Sequence, residues 1–104
     1  MGNVRVVLTR GVNDAVATDA KFAKFMLASL QRFNHADWGD SCAEDSKLNN
    51  ADLRSLKQGL YGRILASYTS NLPFLTAQEN IWIVREIVEA DGTQAITVLF
   101  PSEY

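Results

Sequence analysis

Cysteine, histidine and proline are scarce in this 104-residue chain, which has one Cys, one His and two Pro. A single Cys excludes an internal disulfide. A single His excludes every metal motif built on a His pair, and no Cys pair, calcium-type carboxylate loop, phosphate loop or dinucleotide fingerprint is present. The Gly-x-Ser-x-Gly nucleophile elbow is also missing. Apolar runs are short, none exceeding five residues, whereas a membrane-spanning helix needs roughly 20. Excess positive charge is lacking as well. The net charge is −2, with five Lys/Arg against two acids in residues 1–36 (+3) and five against ten in residues 37–104 (−5). Nucleic-acid binders concentrate Lys and Arg to displace counterions from phosphate, so no nucleic-acid partner is expected. The first residues do not combine basic side chains, an apolar run and a small-residue cleavage site. Val6 stands where a myristoylation signal has Ser or Thr. A cytoplasmic protein without membrane or lipid anchor is the expectation.

What is present fits one ordered domain over residues 1–104. Hydrophobic residues make up 47% of the chain and no low-complexity tract interrupts it, enough for a single modest core. Val4-Arg-Val-Val-Leu8 predicts a buried strand, followed by a turn through Thr9–Asp14 and a short helical segment at Ala15–Ala17. Thr18 or Asp19 is placed to cap a second helix running to about Asn34. In that helix Phe22, Phe25, Met26, Ser29, Leu30 and Phe33 recur at three- and four-residue steps. A third helix is expected from about Cys42 through Leu48, Leu53 and Leu56 toward Gly59, with Asp40 or Ser41 as cap and Glu44 completing a capping box. Asn49-Asn50 are poor helix formers that can split it. Three strand-length runs follow, Arg63–Thr69, Ile81–Val88 and Ala95–Phe100, with Asp91-Gly92 as the turn between the last two. Trp82 alternates with Val84 and is expected in the core. The resulting expectation is an α+β fold: one N-terminal strand, two to three helices, then a three-stranded antiparallel meander, the helices on one sheet face.

One segment concentrates reactive chemistry. His35-Ala-Asp37-Trp38-Gly39-Asp40-Ser-Cys42-Ala-Glu44-Asp45 holds the only His, the only Cys, one of two Trp and four of twelve acids. His35, Asp37 and Asp40 are candidate metal ligands by type, but their spacing matches no defined site. No metal or cofactor is expected. Cys42 with His35 has the right chemistry for a thiolate nucleophile, but a small Cys near a helix start is more often a packing residue. Every member also has a structural role available: His35 at a helix C-terminus, Trp38-Gly39 at a turn, and Asp40, Ser41 and Glu44 opening the next helix. Trp38 either plugs the helix–sheet junction or serves as an aromatic anchor at an interface.

His35-Ala-Asp37-Trp38-Gly39-Asp40, Glu44-Asp45 with Asn49, Ser67-Tyr68, Ile81–Val84 and Leu99-Phe100-Pro101-Ser-Glu103-Tyr104 resemble a family of small uncharacterised bacterial proteins. Such proteins are frequent on plasmids, phages and integrated elements, and are sometimes labelled plasmid-related. The chain departs from the family pattern at its longer Ser70–Gln78 connection, at Arg85 and across Val88–Thr93. The resemblance carries no catalytic residues. It implies an accessory role on mobile elements, where small acidic proteins bind host or defence proteins.

The leading expectation is therefore a non-enzymatic interaction or regulatory protein. Its acidic surface of Asp37, Trp38, Asp40, Glu44 and Asp45 would meet a partner with a basic surface. A small metal-dependent enzyme centred on His35 and Asp37 is the alternative. A third reading is a homodimer or larger homo-oligomer, resting on open sheet edges and the apolar Leu72-Pro73-Phe74-Leu75 segment.

Overall fold

A computed structural model describes residues 3–70 and 80–104. The chain runs β1 (Val4–Leu8), α1 (Arg10–Thr18), α2 (Ala20–Asn34), α3 (Ala43–Lys57), β2 (Arg63–Thr69), β3 (Asn80–Ile87) and β4 (Gln94–Leu99), closing with a single 3-10 turn at Pro101–Glu103. The class is α+β, as expected. The sheet differs from the three-stranded antiparallel meander: it is four-stranded and mixed, in the order β1-β4-β3-β2. β2, β3 and β4 pair antiparallel in succession, and β1 joins parallel to β4 with Val4 beside Gln94 and Leu8 beside Val98. Position at the sheet edge also overturns the burial expected of β1. Val4, Val6 and Val7 are exposed, because a β-branched run reads alike in a central strand and at an edge.

The core forms between one sheet face and the helices. Register places Ile64, Ala66 and Tyr68 of β2, Ile81 and Ile83 of β3, and Ile96 and Val98 of β4 on the same face, where they meet Val12, Phe22, Met26, Phe33 and Leu56. α2 follows its predicted stripe, burying Phe22, Met26, Ser29 and Phe33. Asp19 starts it by accepting from the backbone N–H groups of Lys21 and Phe22 at 3.0 and 3.3 Å. α1 begins earlier than predicted, at Arg10, so the expected turn through Asp14 is helical. Glu103 explains this. Its carboxylate accepts from the Thr9 hydroxyl (2.6 Å), the Gly11 N–H (3.0 Å) and the Phe100 N–H (2.9 Å), supplying from the far end of the sequence the cap that α1 lacks locally.

Trp82 lies on the opposite sheet face from that core. It is half-buried and packs edge-on against Tyr104, with ring centroids 5.2 Å apart. Its strand is buried on both faces over Ile83-Val84, so the period-two reading selects the wrong one of two apolar sets. The β3–β4 turn forms where expected. Gly92 takes the positive φ of 90°, and the Asp91 carboxylate accepts from both the N–H and the hydroxyl of Thr93. The apolar Leu72–Leu75 segment lies outside the described residues.

Candidate functional site: the α2–α3 junction and the acidic groove beside α3

The junction is built from backbone geometry outward. At the end of α2, the Asp37 N–H donates to the Arg32 carbonyl (2.9 Å) and the Ala36 N–H to the Phe33 carbonyl (3.1 Å). This is the paired-bond arrangement that ends many helices, with Ala36 in the left-handed region at φ 60° where Gly is usual. The turn aims Asp37 back at Arg32. Its carboxylate takes the guanidinium through Nε at 2.8 Å and Nη2 at 3.2 Å and also accepts from the Gly39 N–H at 3.1 Å. The Arg32 hydrogen bonds, then the Gly39 N–H, hold the Asp37 carboxyl below its ordinary pKa.

Gly39 is where the junction touches the sheet. It forms a parallel bridge with Ser67, and a Cβ there would fall 2.2 Å from the Ser67 carbonyl oxygen. With φ at 64°, only glycine fits. The adjacent Asp40 N–H donates to that same Ser67 carbonyl at 2.8 Å, and the Asp40 carboxylate accepts from the Thr69 hydroxyl at 2.8 Å. The fully buried Tyr68 donates its hydroxyl to the Asp37 carbonyl at 2.7 Å, and burial pushes that phenol well above its ordinary pKa. Arg32 lies over the Tyr68 ring, 5.2 Å from its centroid.

Trp38 plugs the junction. Only 4% exposed, it packs edge-on against Phe33 and donates its indole N–H to the Asn50 side-chain carbonyl at 3.0 Å. A buried indole is not available as a surface anchor, so Trp38 belongs to the scaffold of the predicted interface rather than to its face. His35 is exposed at the C-cap of α2, with Nδ1 2.7 Å from the Gln31 carbonyl oxygen. A carbonyl only accepts, so Nδ1 carries the proton in that contact. Cys42 is exposed and occupies the N-cap of α3 without a side-chain cap. The expected cap and capping box do not form. Asp40 is engaged by Thr69, and Ser41 donates its hydroxyl to the Trp38 carbonyl at 2.9 Å. Among the described residues no group of three or more His, Cys, Asp or Glu side chains is placed to hold a metal ion.

The acidic residues therefore divide. Asp37 and Asp40 are tied to the scaffold, while Glu44 and Asp45 stand exposed in the first turn of α3, where carboxylates interact favourably with the helix dipole. α3 continues unbroken through Asn49-Asn50, because tertiary bonds use both amides. Asn49 is buried and donates to the Leu65 carbonyl at 3.1 Å, and Asn50 receives the Trp38 indole. Asn49 and Leu56 consequently define the inner face and turn Leu48 outward, where it is 63% exposed. Asp45, Leu48 and Asp52, spaced three and four residues apart, form one stripe. With Asn49, Arg63 and Leu65 they line an open groove of about 360 Å³ between α3 and β2. Sequence reasoning missed Leu48 and Asp52. The signal was available in the competing i, i+4, i+7 set Asn49-Leu53-Leu56, but assigning the inner face to a set led by Asn requires knowing that Asn49 has a buried partner.

Among the described residues no helix is long and apolar enough to cross a membrane. Comparison of the chain with protein-family models, curated proteins and solved structures gives no match.

Proposed function

We propose that this chain is a non-enzymatic interaction protein whose acidic α3 surface receives a basic partner, in an accessory or regulatory role on a mobile element such as countering host defence. The observation that carries the reading is Leu48, a large apolar side chain 63% exposed between Asp45 and Asp52 on the rim of a groove. An apolar side chain flanked by two carboxylates, in a groove whose far wall carries Arg63, suits a partner segment that presents Lys or Arg beside an apolar residue on the α3 side. Glu44 extends the acidic rim, and Asp37, Trp38 and Asp40 hold α3 at its angle to the sheet. The accessory role rests on the resemblance to plasmid- and phage-borne proteins.

Affinity capture from a bacterial host tests the reading. The wild-type chain should retain a discrete protein that is released as salt is raised, since exposed charge pairs are screened. Glu44→Lys combined with Asp45→Lys should lose it, and so should Leu48→Ser. A partner held equally by all three chains and insensitive to salt would overturn the acidic-groove assignment.

A further inference from the structure

The two edges of the sheet are unlike. At the β2 edge, the outward carbonyls of Leu65 and Ser67 are already occupied, by the Asn49 amide at 3.1 Å and the Asp40 N–H at 2.8 Å. At the β1 edge, parity decides which groups are free. The Gln94 N–H donates to the Asn3 carbonyl (2.7 Å) and the Thr9 N–H to the Val98 carbonyl (3.1 Å), so the odd-numbered residues of this strand aim their backbone at β4. Val4, Val6 and Leu8 therefore direct their N–H and C=O groups away from the sheet. Among the described residues no backbone group pairs with them. Val4 and Val6 are 47% and 57% exposed, which leaves the edge uncovered. No Pro or bulge blocks it, and its single charge, Arg5, is met by Glu89 at 3.2 Å. An edge of this kind is a template for another strand.

We infer that β1 pairs antiparallel with β1 of a second copy about a twofold axis through Val6, joining two four-stranded sheets into one. The edge is self-complementary in that register. Val6 faces its own symmetry mate and Val4 faces Leu8, and each is a pair in which both residues exchange N–H and C=O, two bonds in each of three pairs. Side chains agree with the backbone. Val4, Val6 and Leu8 share the face of Gln94, Ile96 and Val98, so their union extends the apolar face already packed on the helices. Arg5 falls opposite Val7 of the other copy, and no like charge is set directly across the seam. The occupied β2 edge decides between a closed pair and a fibre. Pairing of β1 with β2 of the next copy would propagate without limit, whereas pairing of β1 with itself closes after two. A five-residue seam is small, which places the dimer in the concentration-dependent, transient class.

This seam lies away from the α3 groove, so the dimer and the basic-partner reading succeed or fail separately. Sedimentation velocity over a wide concentration range should show the 11.5 kDa chain passing reversibly to twice that mass. Val6→Pro removes only the outward N–H, a placement that edge strands tolerate. It should abolish the dimer while leaving the melting temperature close to wild type. Val7→Pro, which deletes a bond to β4, should lower the melting temperature instead. In a Cys42→Ser background, Val6→Cys should be joined by a short bis-maleimide and Leu48→Cys should not. A chain that stays monomeric at the highest attainable concentration, a dimer indifferent to Val6→Pro, or cross-linking through position 48 in place of position 6 would overturn the inference.

Discussion

Ala36 occupies a left-handed position with a Cβ, which costs about 1–2 kcal/mol relative to glycine. Glycine there would relieve the strain but enlarge the conformational freedom of the unfolded chain. The net expectation for Ala36→Gly is a gain of about 0.5–1 kcal/mol, read as a higher urea midpoint with an unchanged m-value. Glu103 behaves differently. Burial works against its charge, but hydrogen bonds from Thr9, Phe100 and Gly11 outweigh it and hold the carboxyl below its ordinary value of 4.5. A carboxyl lowered on folding contributes stability that is complete above the unfolded pKa and is lost as pH falls through the folded one. Glu103→Gln should therefore cost about 1 kcal/mol at neutral pH by weakening the cap of α1. The mutant should approach wild-type stability as the medium is acidified below about pH 4.5, which melting curves at neutral pH and near pH 3 would test. Equal losses at both values would show that the carboxylate charge is not what the cap uses.

Among the elements, α2 was legible because propensity, period and cap agree. Its apolar residues recur on one stripe, and the Asp19 carboxylate accepts from the first-turn N–H groups of Lys21 and Phe22, as a local cap should. The three C-terminal strands were legible for a similar reason, since β-branched density and the Asp91-Gly92 turn point the same way. α3 was only half legible. Its limits could be read, but its orientation could not, because it is set by Asn49 reaching Leu65 and by Asn50 receiving Trp38, contacts 16 and 12 residues apart in sequence. The same long-range bonds explain the cap that failed, since Asp40 is drawn to Thr69 across 29 residues. The candidate site was legible as a cluster but not in the partners of its members: Asp37, Trp38 and Asp40 bond to Arg32, Asn50 and Thr69, while Glu44 and Asp45 stand outward and Asp45 shares the α3 groove with Leu48 and Asp52. β1 could be named a strand but not an edge, because edge position is a property of the sheet order.

For the whole molecule, Tyr68 is the link between its layers. It is fully buried on β2, and its hydroxyl reaches over the core to the Asp37 carbonyl, joining the sheet to the junction that orients α3. Tyr68→Phe would leave that carbonyl without its donor at almost unchanged volume. The expected cost is about 1–2 kcal/mol, measurable by urea denaturation, with amide exchange quickening around residues 37–41. A loss confined to β2 would show that the junction does not depend on this bond.

The parallel pairing of β1 with β4 has a consequence in time. Val4 registers with Gln94, a separation of 90 residues (94 − 4). A chain emerging from the ribosome holds Val-Arg-Val-Val-Leu with both edges bare until the last strand has been made. Contacts that close so long a loop form late and slowly. The helices and the β2–β3–β4 strands have local partners from which to begin, whereas β1 must wait. During that wait it is the stretch of this protein most exposed to pairing with the wrong neighbour.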